Sequence, residues 1–504
     1  MNSTLLILGI IGLPLVASPL VYLLGRVSVR KGGYVGMTLA QFLTLLVLVV
    51  EGVLFYLATK VWVSGSFVST EVGTILVGMD GMALLLGIIA TGLGFCVTLF
   101  SIPYMDGEDG EEKFYALLLA LIGAIIGLGC AADLFNLWVW FEVMAVSSFF
   151  LVAFYNEQPA SLEAGFKYLT QSAVGSAMVL FGIAILFTLT GSVSMSDVWN
   201  VIAGKSTLAL VAGGLIIVGF GVKAALVPLH TWLPDAHSQA PSGISAMLSG
   251  VVIEAGLVAM LRTLGLLANL ENAPWGPILL AFGCINVLVG NLMALRQKEV
   301  KRLLAYSSIA QVGYMMIGFG ISVISKVYVG AAGGFFHLFT HAMMKGLAFL
   351  AAGALLYSLH IARGEHAPLV LEDLNGVSKK YPIIAFLLSL ALLGLGGLPP
   401  MAGFMSKWQI LLGAAQISSG LMIGVIIFVG LNSVLSLAYY APMINRMYRH
   451  EASEAVVSGK EVSWIMVLPM VLLAIGIIAF GIWPSLATFL TNNAAASFIY
   501  PFGS

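Results

Sequence analysis

Apolar residues run through this chain in long unbroken stretches rather than in alternation, the pattern of helices sunk in lipid. Fourteen stretches can be marked, at 4–25, 33–58, 74–103, 114–131, 134–155, 163–190, 207–228, 241–268, 275–296, 302–322, 329–359, 382–414, 419–447 and 462–487. Each can cross about 30 Å of hydrocarbon at about 1.5 Å per residue. Long runs without a period of two favour helices over a barrel. The predicted fold is a single all-α polytopic membrane domain over 1–504, with three spans in 1–103 and a last one at 462–487. The first stretch is apolar from Leu5 onward and lacks a basic leader, so it reads as a retained helix rather than a cleaved signal.

Two stretches are interrupted. The seventh ends in Gly221-Val-Lys-Ala-Ala-Leu-Val-Pro-Leu-His-Thr-Trp-Leu-Pro-Asp-Ala-His. Pro228 lacks a donor and crowds the preceding turn, so the chain is expected to kink or unwind just after Lys223. The twelfth contains Gly394-Leu-Gly-Gly-Leu-Pro-Pro-Met-Ala-Gly-Phe-Met-Ser-Lys, where Pro399 and Pro400 make the break and Lys407 follows within two turns. The interrupted spans are five apart, and each carries a lysine beside its break. Paired interruptions of this kind suggest an inverted repeat with its ion site at the breaks. The repeat would relate spans 4–8 (114–268) to spans 9–13 (275–447).

Polar exceptions within the apolar runs carry the candidate chemistry. Lys223, Lys345, Lys407, Glu142, Glu254, His337 and His341 all lie inside predicted spans. A charge at the bilayer centre costs about 2.5–3.5 kcal/mol even on permissive insertion scales, so such groups mark ion or proton movement. His337, His341 and Lys345 follow at four-residue steps, which places them on one helical face. That stripe fits a proton chain. Zinc is the rival for histidines at this spacing, but the lysine on the same face and the lack of a thiol or carboxylate nearby speak against a metal. Glu142 lies nine residues beyond Asp133, about 13 Å into the fifth span. Brought together, Glu142 and Lys223 would stabilise each other's charge; parted, each would favour its neutral form. Such a pair is a switch. His230, within the first broken segment, joins the candidates for proton translocation. A structural ion pair, or histidines satisfied by helix–helix hydrogen bonds, is the plain alternative.

Composition agrees with the class. The chain is 60% hydrophobic and 9% charged, with a mean hydropathy of +1.04, which excludes a soluble domain. A net charge of −1 without a basic stripe excludes nucleic acid as partner. Cys96, Cys130 and Cys284 show no CxxC spacing, and no phosphate loop or dinucleotide fingerprint occurs. Flavin, nicotinamide and iron–sulfur sites would therefore sit on other polypeptides, and no cofactor or metal is expected here. Basic residues are unevenly placed. Loops after odd-numbered spans hold fifteen of the 22 Lys and Arg, and loops after even-numbered spans hold four: Lys60, Lys205, Arg262 and Lys326. The positive-inside rule puts both termini outside, in a prokaryotic inner membrane.

The motifs resemble the antiporter-like subunits of respiratory complex I, Mrp-type sodium/proton antiporters and membrane-bound hydrogenases. The similarity runs over about 75–445. It rests on Asp133-Leu-Phe-Asn-Leu-Trp-Val-Trp-Phe-Glu142, the Lys223 to Asp235 stretch with Ala240-Pro241, and Lys301-Arg-Leu-Leu-Ala-Tyr-Ser-Ser-Ile-Ala-Gln-Val-Gly. His337-x3-His341-x3-Lys345 and Gly397-Leu-Pro-Pro-x-Ala-Gly-Phe add to it. The resemblance implies fourteen helices, two inverted five-helix repeats and a central polar axis. On that axis Glu142, Lys223, His337, His341 and Lys407 match the family's ionisable positions. Lysine at 407 is similar to subunits N and L and the Mrp D type, while Gln311 leans towards the Mrp and hydrogenase side. The eighth span departs from the pattern: Glu254 stands where the family usually carries lysine. It is expected within salt-bridge or single-water reach of Lys223 or Lys345.

The leading functional expectation is a proton-translocating subunit, with sodium as a candidate counter-ion, inside a larger membrane complex with antiporter-like paralogues and a redox module. A complex I subunit of N type is the nearest alternative. A structural subunit without its own ion path, and a solitary secondary transporter, are readings of other classes.

Overall fold

The computed structural model describes residues 3–29, 37–63, 68–73, 75–203, 207–270, 273–363 and 367–501. Arg30, Lys31 and Lys205 of the charge balance, and residues 33–36 and 74 of the expected second and third spans, lie outside the described residues. Helices α1 (Ser3–Val29) and α2 (Leu39–Val63) precede an antiparallel hairpin of β1 (Val68–Val72) and β2 (Ile75–Met79). Then come α3 (Gly81–Tyr104), α4 (Glu111–Cys130), α5 (Leu134–Val152), α6 (Pro159–Thr190), the short α7 (Met195–Ile202) and α8 (Thr207–Lys223). Next are α9 (Trp232–Gln239), α10 (Ser242–Met247), a π-helical turn at Leu248–Val252, and α11 (Ile253–Leu266). The second half holds α12 (Trp275–Ala294), α13 (Val300–Ser325), α14 (Val329–Arg363), α15 (Val377–Lys380), α16 (Pro382–Gly396), α17 (Ala402–Ala415) and α18 (Gly420–Arg449). The chain closes with α19 (Glu454–Ser458), α20 (Trp464–Ile482) and α21 (Ser485–Ile499).

Among the described residues, twelve helices are long and apolar enough to span a membrane, and two shorter apolar ones are α8 and α16. Those two are the spans expected to be interrupted. Both end in the same way. Leu226 N–H donates to Gly221 O (2.8 Å) and Ala225 N–H to Val222 O (3.2 Å); likewise Leu398 N–H donates to Leu393 O (3.2 Å) and Gly397 N–H to Gly394 O (2.9 Å). These paired bonds are Schellman terminations, with Ala225 (φ 54°) and Gly397 (φ 80°) in the left-handed region. The prolines therefore do not end these helices. They follow the stop and keep the helix from resuming.

Two expectations about boundaries are corrected. The third span does not begin at 74. Ile75–Met79 pair with β1, and Asp80 caps α3 by accepting the Ala83 N–H at 2.8 Å. Ile75-Leu-Val is apolar and β-branched, so hydropathy alone cannot tell this strand from a helix start. The last span ends at Ile482, and α21 follows it.

The centre of the bundle is the Ser242–Leu266 segment, buried except at Arg262, with α13 and α14 nearly as enclosed, whereas α1, α2, α6 and α18 turn broad apolar faces outward. Arg262 pins α11 in place. It donates to both carboxylate oxygens of Asp80 (2.9 Å each) and to Gly129 O (2.7 Å). Arg262, Lys167 and Lys301 were expected in loops. Instead they sit within α11, α6 and the first turn of α13, and Lys301 is buried, donating to Ala240 O at 2.6 Å.

Candidate functional site

The two helix stops bring ionisable groups to the middle of the bundle. Lys223 is the last residue of α8 and is 1% exposed. Its ammonium donates to Ser148 Oγ on α5 (3.1 Å) and to the Tyr168 hydroxyl on α6. The Tyr168 ring lies 4.5 Å from Nζ and stacks on Trp232 at 4.0 Å. Gly256 on α11 makes room for the lysine stem, since a Cβ there would lie 2.9 Å from Lys223 Cβ. Asn286 on α12 clamps the unwound segment, accepting from Val227 N–H (2.9 Å) and donating to Ala225 O (3.3 Å).

Glu142 makes no ion pair with Lys223 in this structure. It is half-buried on α5, next to an outward face formed by Phe135, Val139, Val146 and Phe150. Its Oε1 is buried without a hydrogen-bond partner, and Lys223 binds hydroxyls rather than this carboxyl. His230 is half-buried in the unwound segment, with its ring edge-on to Tyr306 at 6.2 Å and Nδ1 unpartnered.

At the second stop Lys407, on the first turns of α17, donates to Leu395 O at 2.9 Å, a carbonyl in the last turn of α16. The Tyr314 ring lies 4.5 Å from its Nζ. Gln311 on α13 donates to the same carbonyl (3.1 Å), which turns its amide oxygen to His337 Nε2 at 2.9 Å. Ser406 meets His337 Nδ1 at 2.8 Å. One turn along α14, the His341 ring is 6.2 Å from that of His337, and its Nδ1 lies 2.7 Å from Glu254 Oε1. Lys345, a further turn on, donates to Leu304 O (2.7 Å) and to the Ser307 hydroxyl on α13. Ser308 and Ser249 join at 2.6 Å, tying α13 to the π-helical turn before Glu254. Such turns recur at functional sites.

Lys407, Gln311, His337, His341 and Glu254 therefore form a near-continuous polar row across α17, α13, α14 and α11. Lys223, Glu254, His337, His341, Lys345 and Lys407 are all buried. A direct salt bridge from Glu254 to a lysine is corrected: its contact is with His341, while Lys345 turns to α13 and Lys223 to α5 and α6. Several contributors were not anticipated. Ser148, Tyr168, Ser307 and Ser406 are unremarkable in an apolar sequence. Glu51, fully buried on α2 with neither carboxyl oxygen partnered, carries the same signal as Glu254 and was passed over. His237 is fully buried with both ring nitrogens unpartnered and stacks on Phe349 at 4.6 Å.

A many-helix membrane protein with two interrupted spans and a row of buried ionisable groups between them is the class that fold and site define. The chain belongs to the family described as NADH:quinone oxidoreductase/Mrp antiporter, TM, whose model matches residues 131–436. A second model, NADH-Ubiquinone oxidoreductase (complex I), chain 5 N-terminus, matches residues 72–115. Among its relatives, the NADH-quinone oxidoreductase subunit N of Desulfitobacterium hafniense is 32% identical, over 99% of this chain and 98% of that one. The F(420)H(2) dehydrogenase subunit N of Methanosarcina mazei is 30% identical, over 83% and 84%. Among solved structures, a chain of the archaeal membrane-bound sulfane sulfur reductase superposes with a TM-score of 0.86 at 28% identity, covering 97% of both chains. A chain of respiratory complex I from Thermus thermophilus gives 0.76 at 26%, covering 96% of this chain and all of that one.

Proposed function

We propose that this chain is a proton-translocating subunit of a larger membrane complex that couples a redox reaction, or sodium exchange, to proton movement. The observation that carries this reading is the row of six buried ionisable side chains strung between two helix stops. Charges that cost several kcal/mol each are retained where unwound backbone can move, which is the arrangement of ion pathways. Lys223 and Lys407 are the switching groups of two half-pathways, and Glu142 modulates Lys223 when the two approach. The matching Schellman stops support the halves 114–268 and 275–447 as inverted repeats. Relatives named as subunit N favour an N-type role beside paralogous membrane subunits. The surplus of basic residues in alternate loops favours both termini outside, and the prokaryotic source of the relatives favours a prokaryotic inner membrane.

Transport by the assembled complex in vesicles tests the reading. Lys223→Ala should abolish proton movement while leaving assembly intact. A fully assembled Lys223→Ala complex that pumps normally would return the chain to the structural class.

A further inference from the structure

His337 and His341 stand one turn apart on α14, and their ring nitrogens are served differently. His337 has both filled: Nε2 faces the amide oxygen of Gln311 and Nδ1 faces Ser406. His341 has only Nδ1 engaged, at 2.7 Å from Glu254 Oε1, while its Nε2 is buried and unpartnered, as is Glu254 Oε2. Both residues are fully enclosed. A contact that short between an imidazole nitrogen and a carboxyl oxygen holds a proton between the two atoms.

Proton counting then narrows the next proton to two open atoms, His341 Nε2 and Glu254 Oε2. With one proton, the pair is a carboxylate beside an Nδ1–H ring, and its net charge is −1. With two, it is a carboxylate beside an imidazolium, an acid protonated on Oε1 beside a ring with its hydrogen on Nε2, or an acid protonated on Oε2 beside an unchanged ring. The added proton ends on Nε2 in the first two and on Oε2 in the third, and the net charge is zero in each. A lysine in the same place would cycle between +1 and zero. The groups around the pair are Lys345 and His337 from α14, Lys223 from α8 behind Gly256, and Lys407 beyond His337 from α17.

We propose that Glu254 and His341 act as one proton-loading unit whose open atom is His341 Nε2, and that it exchanges its proton with Lys345 in opposite phase. The inference rests on the proton-translocating reading above. In the transfer the Lys345 side chain leaves Leu304 O and Ser307 and turns toward His341, an ammonium N–H bond breaks, and the Nε2–H bond forms. A +1 lysine beside a −1 pair becomes a neutral amine beside a neutral pair, with no ion left uncompensated at either end. Reversed charge at the eighth span thus keeps a proton carrier there. Glu254 is a positioning residue: it sets which imidazole nitrogen is open.

The test uses the purified, assembled complex in liposomes. Nitrogen-15 histidine labelling, with the His341 signal assigned by its loss in His341→Gln, should show Nδ1 protonated and Nε2 bare in the wild type at high pH. In Glu254→Ala the hydrogen should move to Nε2. Glu254→Gln, which keeps the side chain's shape, should lower transport about a hundredfold, the usual scale for a proton-transfer partner. An Nε2–H ring in the wild type at high pH, or wild-type transport by Glu254→Gln, overturns the proposal. If Lys223→Ala is blocked while Glu254→Gln pumps, only this inference fails. If both pump, the proton-translocating reading fails with it.

Discussion

The two helix stops share one backbone motif and use their lysines in different ways. At the first, the lysine precedes the stop and its ammonium rests on two side-chain hydroxyls, Ser148 and Tyr168. At the second, the lysine follows the stop and rests on Leu395 O, a carbonyl of the half-helix that has just ended. The last carbonyls of a helix carry its partial negative charge, so Lys407 is held by the end of α16 itself. Any shift of that end moves the acceptor directly. Lys223 instead answers to α5 and α6, the helices that bring its hydroxyls. One stop senses the backbone, and the other senses its neighbours.

The largest effect expected from this contrast is loss of both lysines' function by either single change. On the proposed reading, in which two half-pathways act in series, Lys407→Ala should stop transport as fully as Lys223→Ala. Proton uptake by the assembled Lys407→Ala complex at the normal rate would leave the second stop without a role. A finer contrast lies in the two tyrosines, each with its ring 4.5 Å from a lysine Nζ. Tyr168 also accepts a hydrogen bond from its lysine, whereas the Tyr314 hydroxyl faces Asn291 and Ser433 and makes no bond to Lys407. Hydrogen bonds to a charged group contribute about 1.5–3 kcal/mol, so Tyr168→Phe should slow transport by roughly tenfold or more. Tyr314→Phe removes no bond to its lysine and should change the rate less than about twofold. Equal losses in the two variants would erase the distinction between the stops.

What the sequence disclosed follows from cost. Lys223, Lys345, Lys407 and Glu254 stand out because a charge in an apolar run is expensive wherever the chain goes, and the breaks stand out because proline and glycine act locally. The partners do not stand out. Ser148, Tyr168 and Gln311 are affordable at many positions, and only the packing of α5, α6 and α13 against the stops gives them work. The same limit misplaced the Glu254 contact. Three basic candidates share one face of α14, and their reach to α11 or α13 depends on how the helices cross. The hairpin at 68–79 was hidden because an apolar strand and an apolar helix start look alike. Glu51 was different: the rule that found Glu254 applied to it equally.

The smallest expected effects concern the residue that turns each stop. Gly397 takes its positive φ without cost, whereas Ala225 holds φ 54° against its own Cβ. Ala225→Gly should therefore relieve about 1 kcal/mol of local strain, partly offset by the greater freedom of glycine in the unfolded chain. The net change in the melting midpoint of the solubilised complex should be close to zero. Gly397→Ala has no such compensation. It adds strain of about 1–2 kcal/mol and sets a methyl 3.3 Å from Lys407 Cδ and 3.5 Å from its Nζ. That variant should melt lower and also pump more slowly, because the methyl crowds the ammonium against Leu395 O. Thermal unfolding followed alongside proton uptake separates the two consequences. A Gly397→Ala complex that melts lower yet pumps normally would mean that Lys407 tolerates displacement, and that the second stop is no more sensitive to its backbone than the first.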